Sequence, residues 1–300
     1  MKSTVLPLIA IVIIAGVIIT WACRSKASKS KNDTQAEIKT DPSDYDLKKP
    51  EKKWELPAEL LEISGNVWID NNHLLAIEDL TPNLYVLKLD SNKASIEQKI
   101  TFKESTDKKF DVEDVALVDN TAYALWSHGE IYKIKDWKNK PTVEVIQTFL
   151  SKKNNTEGMC YDPVTHNLLI ACKDESDLVD EKKSTRAVYA FDLAADSLKY
   201  DPFLLIKKED IDKMSNEKLE FFPSAIAVHP TTHDIYILST KETKCMAVYT
   251  HDGVLKSLQL IDKEVLPQPE GLCFSPDGTL FVSTEGRHDM PAFILQFKKP

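Results

Sequence analysis

The sequence lacks the short motifs that identify several large enzyme classes. It contains no GxSxG, HExxH or P-loop pattern, so a serine hydrolase, a zincin and a nucleotide-dependent enzyme have no support. Cysteine is scarce, odd in number and without a CxxC pair, which disfavours both a disulfide scaffold and a zinc site. The five cysteines are Cys23, Cys160, Cys172, Cys245 and Cys273. We interpret four of them as small buried residues.

A basic stripe is also absent. The chain has 38 Lys+Arg against 47 Asp+Glu and a formal net charge of −9, and these charges are scattered among strand-like segments. Nucleic acid is therefore not an expected partner, whereas a cationic ligand or a metal ion fits this balance. The length of 300 residues leaves room for one large domain after residue 50.

One long hydrophobic run is present, at the N-terminus. Residues 5–23 carry no charge, and a helix of that length rises about 28 Å, close to the hydrocarbon thickness of a bilayer. The run predicts a single membrane-anchoring helix within residues 1–23. Two alternatives stay open: a cleaved signal peptide, and a lipoprotein signal ending at Cys23, in which the bulky Trp21 stands where a small residue is usual.

The residues after this run give a conflicting sign for orientation. One lysine precedes the run and four basic residues follow it within residues 24–31, so charge alone predicts a cytoplasmic C-terminal side. Residues 24–50 contain almost no large apolar side chains and predict a disordered linker. The folded domain is expected to span residues 51–300.

An internal repeat dominates that domain. A small or acidic pair, a short apolar strand, a turn and a second apolar run recur five times, at intervals of 44 to 49 residues except for a longer third interval. The copies are EISGNVWID at 62, DVEDVALVD at 111, NTEGMCYDP at 155, FPSAIAVHP at 222 and QPEGLCFSPDG at 268. This period suits the four-stranded blade of a β-propeller. The predicted fold class is therefore all-β, a propeller of about five four-stranded blades, with six as the alternative.

Closure of the ring is predicted at the N-terminal strand. The fifth copy has no fourth strand of its own, and residues 53–57 (KWELP) can fill that place, which would hide two open sheet edges. The long third interval holds a charged segment, residues 174–185, and a segment with helical propensity, residues 207–220. Both are expected on the rim.

These motifs resemble the SdiA-regulated (YjiK-like) family of bacterial envelope propellers, across residues 52–298. The resemblance rests on EISG, DVEDVA, NTEGMCYDP, FPSAIAVHP and LPQPEGLCFSPDGTLFVSTEG taken together. It implies a propeller related in architecture to the propeller phytases and NHL-type propellers, held at the membrane outside the cytoplasm. It implies no settled activity. On this ground we expect an extracytoplasmic domain in spite of the charge count.

One repeat position is predicted to converge on the ring axis, because the first strand of every blade lines the channel. This position holds Ser64, Glu113, Glu157, Ser224 and Glu270. Glu62, Asp111 and Asp114 lie close to it in sequence. Crowded carboxylates repel unless they are protonated, paired or bridged by metal, so Glu113, Glu157 and Glu270 are candidate ligands for Ca²⁺, which accepts several oxygens.

The ends of the second strands predict a further set of residues at one channel mouth. They are Glu78, Asp79, His128, Lys173, Asp174, Lys241, Glu285 and Arg287. The basic members are the protein's own alternative to a metal ion. A purely structural alternative also stays open, in which a Glu before Gly accepts backbone N–H groups of the next blade and fastens the ring.

Two functions are consistent with these residues. The first is a membrane-tethered binding module that recognises an unknown small-molecule or protein ligand, with a cation at the central channel. The second is a calcium-dependent phosphoesterase, phytase-like, in which Lys173, Lys241 and Arg287 contact phosphate. No catalytic residue can be assigned, and the first function is favoured because it does not require a complete metal-ligand set.

Overall fold

The computed structural model describes residues 45–103, 110–176, 178 and 184–298. The predicted anchor within residues 1–23 and the linker as far as residue 44 lie outside the described residues. Within the described ranges, no helix is long and apolar enough to cross a bilayer.

The described residues form five antiparallel sheets, arranged as the five blades of a propeller. The first elements among the described residues are β1 (Lys52–Glu55) and a 3-10 turn (Ala58–Leu60). Blade 1 contains β2 (Ile63–Asp70), β3 (His73–Glu78), β4 (Asn83–Leu89) and β5 (Ala94–Thr101). Blade 2 contains β6 (Val112–Val118), β7 (Thr121–Trp126), β8 (Ile131–Lys135) and β9 (Thr142–Ile146).

Blade 3 contains β10 (Thr156–Asp162), β11 (Asn167–Cys172), β12 (Thr185–Asp192), β13 (Ser197–Leu198) and β14 (Leu204–Lys207). Its outer edge is split, since β13 and β14 both pair with β12 and the interruption contains Pro202, which has no N–H to donate. Helix α1 (Lys208–Ser215) follows, within the segment predicted to be helical.

Blade 4 contains β15 (Pro223–Val228), β16 (Ile235–Ser239), β17 (Cys245–Tyr249) and β18 (Leu255–Leu260). Blade 5 contains β19 (Pro269–Phe274), β20 (Leu280–Thr284) and β21 (Phe293–Phe297), and its fourth strand is β1. The pairing of β1 with β21 is antiparallel, with Trp54 opposite Ile294. The predicted blade count of five and the closure by the N-terminal strand are therefore confirmed.

The hydrophobic core is divided among the interfaces between blades. Alternate residues of a second strand enter different clusters: Leu75 and Ile77 of β3 pack toward blade 2, whereas Leu74 and Ala76 pack toward blade 5. Side chains of a strand point alternately to its two faces, so a strand between two blades must be apolar on both. This explains why the second strands lack the polar alternation of a sheet with one solvent face.

The packed domain begins earlier than the predicted boundary at Glu51. Tyr45 and Leu47 are each 1% exposed and lie in the cluster between blades 4 and 5. The hydroxyl of Tyr45 donates to the carbonyl of Gly278 and contacts Nε2 of His229. The composition of this segment predicted a polar linker, because Tyr45 and Leu47 are isolated among polar residues. The structure buries both side chains.

Cysteine burial follows the prediction for Cys172, Cys245 and Cys273, which are buried thiols, while Cys160 is half-buried. Cys23 lies outside the described residues. The part of the charged segment 174–185 that is described includes Ser176, whose carbonyl accepts a hydrogen bond from Tyr189. Residue 177 and residues 179–183 lie outside the described part.

Candidate functional site

The convergent repeat position coincides with a β-bulge in every blade. The pairing of the first and second strands shifts across Ser64, Glu113, Glu157, Ser224 and Glu270. In each strand pair this residue has no partner on the second strand. A bulge re-aims the side chain of its extra residue. All five are therefore released from the sheet pattern at the same level of the ring.

The residue after each bulge packs tightly against the next blade. A Cβ placed on Gly158 would lie 2.9 Å from the amide nitrogen of Ile226 and 3.0 Å from Cα of Ala225. In blade 2 this position is occupied by Asp114 instead of a small residue. Its carboxylate accepts hydrogen bonds from the Met159 N–H of blade 3 at 2.7 Å and from its own neighbour Val115 at 2.8 Å. The backbone fastening considered for the glutamates is thus performed by Asp114.

Burial raises the pKa of Asp114 well above its usual value, and the two backbone hydrogen bonds oppose this rise. With 2% of its surface exposed, Asp114 is placed between blades instead of in open channel space. Its role in the fold is to join blade 2 to blade 3.

The ammonium group of Lys173 interacts electrostatically with three bulge carboxylates, those of Glu157, Glu270 and Glu113. The Nζ of Lys173 lies 2.7 Å from Oε2 of Glu157, and Asn155 donates to the other carboxylate oxygen at 3.0 Å. Glu270 accepts a hydrogen bond from Oγ1 of Thr240 at 3.3 Å. The charges of Glu157 and Glu270 both act on Glu113, as does Lys173. The structure therefore brings these four side chains together.

Two further carboxylates extend this group toward the mouth. The charge of Glu270 acts on Glu285, together with those of Glu62 and Asp79. Asp79 is also influenced by Asp111, whose carboxylate accepts a hydrogen bond from Ser127. We call this group the acidic pocket, defined by Asp79, Glu113, Glu157, Lys173, Glu270 and Glu285.

The carboxyl groups of the acidic pocket have raised pKa values, which favours their protonated forms. Burial, reinforced by neighbouring carboxylates, raises the pKa of Asp79 to about 7 and that of Glu285 to about 8. Burial raises the pKa of Glu270 to about 7 although Lys173 opposes the rise. Burial and the charge of Glu157 raise the pKa of Glu113 well above its usual value. Near neutral pH the pocket therefore holds carboxylates that can exchange protons for another cation.

Lys173 is the internal counter-charge of the acidic pocket. Burial alone would lower its pKa, but Glu157 and the neighbouring glutamates outweigh this effect and raise it. The ammonium therefore stays charged. Glu157 still has a raised pKa, because burial outweighs the stabilisation by Lys173.

The other predicted site residues have different surroundings. Glu78 is 3% exposed and accepts hydrogen bonds from its own turn, from Leu80 N–H at 2.9 Å and from the Thr81 hydroxyl. Ser64 donates to the carbonyl of Val112 at 2.8 Å and so links blades 1 and 2. Ser224 is buried, and its hydroxyl has no hydrogen-bond partner among the described residues.

Of the predicted basic mouth residues, only Lys173 belongs to the acidic pocket. The Nζ of Lys241 lies 4.6 Å from the ring centre of Phe222, and His128 and Arg287 are exposed. A further basic residue, Lys244, was not among the sequence candidates; burial lowers its pKa and Glu270 partly restores it. Its position immediately before β17 follows no repeat pattern, so only the fold reveals it near the pocket.

The side-chain geometry does not by itself form a metal centre. Among the described residues, no group of three or more His, Cys, Asp or Glu side chains is placed to hold an ion. The ammonium group of Lys173 lies 2.7 Å from the Glu157 carboxylate and so occupies a position that a metal ion bound to Glu157 would need. Calcium binding by Glu113, Glu157 and Glu270 thus remains a prediction that requires these side chains to rearrange.

The sequence profile of the SdiA-regulated family matches residues 62–288. The chain belongs to the SdiA-regulated family. The matched span contains all five bulges of this SdiA-regulated propeller. No functionally curated protein shows significant similarity to it.

Solved structures with other names resemble this SdiA-regulated protein in fold. Glutaminyl cyclase of Myxococcus xanthus is 13% identical with a TM-score of 0.58, over 84% of this chain and 97% of that one. A gluconolactonase-like protein is 14% identical with a TM-score of 0.48, over 81% of this chain and 77% of that one. At such identity the similarity to the cyclase shows the fold alone.

Proposed function

We propose that this propeller is a binding module whose acidic pocket takes a positively charged ligand. The observation that carries the proposal is the set of aligned bulges at Glu113, Glu157 and Glu270, and its support is that the charges of Glu157 and Glu270 act on Glu113. A bulge costs backbone pairing, and its recurrence beside a group of carboxylates is typical of a site that aims side chains at a ligand.

The balance of charge supports a cation as the occupant. The five carboxylates of the acidic pocket are opposed by the ammonium groups of Lys173 and Lys244, so bound protons supply the rest of the neutralisation. A ligand cation would take the place of those protons. Because Glu270 and Glu285 have pKa values of about 7 and 8, binding should release protons and tighten as the pH rises through this range.

The experiment is a calorimetric titration of the full chain at pH 6 and pH 8 with two probes, calcium chloride and putrescine. We expect at least one probe to bind, and to bind more tightly at pH 8 than at pH 6. For each proton that the probe displaces, the dissociation constant should fall roughly tenfold per pH unit. Glu270→Gln should weaken binding, whereas Glu144→Gln should not, because Glu144 lies exposed on the outer strand β9 and pairs with Lys135. Absence of binding by both probes at pH 8, or equal binding by Glu270→Gln, would refute the proposal.

We further propose that the propeller is tethered outside the cytoplasm. The uncharged run of residues 5–23 and the family resemblance support this placement. Protease added to spheroplasts, in which the inner membrane is intact and the outer envelope is opened, should then degrade the propeller while a cytosolic marker survives. Cys23→Ala separates the two kinds of tether: loss of membrane association indicates lipidation, and retention indicates a helical anchor.

No particular observation favours the phosphoesterase alternative. Of the three basic residues assigned to phosphate contact, only Lys173 lies in the acidic pocket, where it pairs with Glu157, while Lys241 lies over Phe222. A phosphate entering beside five carboxylates would meet repulsion unless metal intervened. Binding of a cation is the simpler use of this pocket.

A further inference from the structure

A groove on the outside of the propeller lies between helix α1 and the hairpin formed by β17 and β18. It has a volume of about 690 Å³, which is in the range of small-molecule sites. The long third interval produces this groove, since Ile211 of the helix packs into the core between blades 3 and 4. The opposite side of the helix is left beside the hairpin of blade 4.

Tyr249 provides a polar group in the groove lining that the fold does not use. Tyr249 is 2% exposed, and its hydroxyl has no hydrogen-bond partner among the described residues. Burial, with the nearby charge of Asp210, raises the pKa of this phenol, so it remains a donor. A buried donor without an acceptor is destabilising, and a ligand oxygen would remove that cost.

The remaining lining defines the chemistry of such a ligand. Leu205, Met214 and Leu255 form apolar walls. The charged side chains of the helix, Asp210 and Lys213, form a loose pair with 3.7 Å between carboxylate and ammonium. The third charged residue of the lining, Lys256, pairs with Asp234 at 2.7 Å. Because both ammonium groups have carboxylate partners, the groove does not demand a charged ligand. An aliphatic body with a carbonyl oxygen would match both the walls and the phenol.

We propose that this groove binds a neutral aliphatic carbonyl compound, with the carbonyl oxygen accepting a hydrogen bond from Tyr249. The site is separate from the acidic pocket, since its lining comes from the outer strands and the helix. It does not depend on the proposed binding of a cation.

The test uses hexanamide as the probe and ligand-observed NMR of the full chain. Hexanamide should bind, and Tyr249→Phe should weaken it by roughly threefold to tenfold, the worth of one neutral hydrogen bond. Tyr200→Phe is the matched control, because Tyr200 is 77% exposed on blade 3. Hexylammonium has the same chain without a carbonyl oxygen, so its affinity should not change in Tyr249→Phe.

A second measurement separates ligand recognition from a structural role. If the hydroxyl has no partner in the free protein, Tyr249→Phe should leave the thermal midpoint unchanged or slightly raised. A fall of several degrees would show that the fold already uses the hydroxyl, and would overturn the proposal. Failure of hexanamide to bind, or equal binding by wild type and Tyr249→Phe, would overturn it as well.

Discussion

Glu113 and Asp114 are adjacent acidic residues with different roles. Asp114 accepts two backbone N–H groups and joins blades 2 and 3, whereas Glu113 is the bulged residue and interacts electrostatically with Glu157 and Glu270. The sequence grouped both as channel candidates. Spacing could not separate them, because the bulge changes where successive side chains point.

Lys173 is expected to stabilise the fold in a pH-dependent manner. Lys173→Met removes the ammonium that lies 2.7 Å from Glu157, and should cost about 3 kcal/mol in unfolding free energy at pH 8. At pH 5 the cost should be smaller, since carboxylates with raised pKa values can take up protons instead. Urea denaturation at both pH values measures this difference.

Lys135→Met is the matched control for this substitution. Lys135 pairs with Glu144 across 3.6 Å, but both side chains are more than half exposed, so its loss should cost less than about 1 kcal/mol. Equal destabilisation by Lys173→Met at pH 5 and pH 8 would contradict the assigned role.

Glu270 is expected to oppose stability at high pH. Its folded pKa of about 7 lies above the ordinary 4.5, so the folded state holds more protons than the unfolded chain between these values. The stability contribution of Glu270 is therefore complete below about pH 4.5 and is lost as the pH rises through 7. Over that window the loss is up to about 3 kcal/mol.

Glu270→Gln should remove this dependence. The variant should gain stability relative to wild type at pH 8, by an amount on the order of 1 to 3 kcal/mol, and should match wild type near pH 4.5. Chemical denaturation across this range is the measurement. A variant less stable than wild type at pH 8 would show that Glu270 is ionised and well stabilised there.

Among the secondary-structure elements, the blade strands could be predicted and the bulges could not. The repeated turn signals and apolar runs mark each hairpin, so the inner strands and the closing strand followed from pattern alone. A bulge depends on the register between two strands. The residue types of Glu157 and Gly158 are compatible with regular strand pairing and with a bulge, so the sequence does not decide between them. The alignment of Ser64, Glu113, Glu157, Ser224 and Glu270 was correct, but its structural cause became visible only in the fold.

The glycine after a bulge is required by the neighbouring blade. Gly158→Ala would press a methyl group against the backbone of Ala225 and Ile226 at 2.9 to 3.0 Å, and backbone cannot move aside as a side chain can. We expect a loss of about 2 kcal/mol in unfolding free energy, measured by urea denaturation. The comparison is Ala225→Gly, at the same repeat position in blade 4, with an expected loss of about 1 kcal/mol. A stabilised Gly158→Ala would contradict the close contact of blades 3 and 4.

In the complete ring, the core consists of separate clusters between adjacent blades. Trp54 on β1 is 4% exposed and packs in the cluster that joins blades 5 and 1. Trp54→Ala should lower the free energy of a single unfolding transition by about 3 to 5 kcal/mol, as followed by urea denaturation. Trp137→Ala, with Trp137 3% exposed between blades 1 and 2, should act similarly. An early separate transition in Trp54→Ala alone would mean that closure is weaker than the other interfaces.

The ring arrangement also explains why some residues of the site could not be predicted from the sequence. Repeat spacing locates residues that occupy equivalent positions, so Glu157 and Glu270 could be found. Lys244 and the groove at Tyr249 lie outside the repeat and come together only through tertiary packing. The burial of Tyr45 is a further case, because one aromatic residue in a polar segment carries no periodic signal.

Burial raises the pKa of Glu270 to about 7, and burial with neighbouring carboxylates raises that of Glu285 to about 8. The protonation of these side chains can be observed one by one. A carboxyl NMR titration of the chain labelled with ¹³C at glutamate Cδ, assigned with Glu270→Gln and Glu285→Gln, reads each pKa. We expect Glu270 to titrate near pH 7 and Glu285 near pH 8. Titration of Glu270 and Glu285 in the acid range would show that these glutamates are not held protonated by the ring.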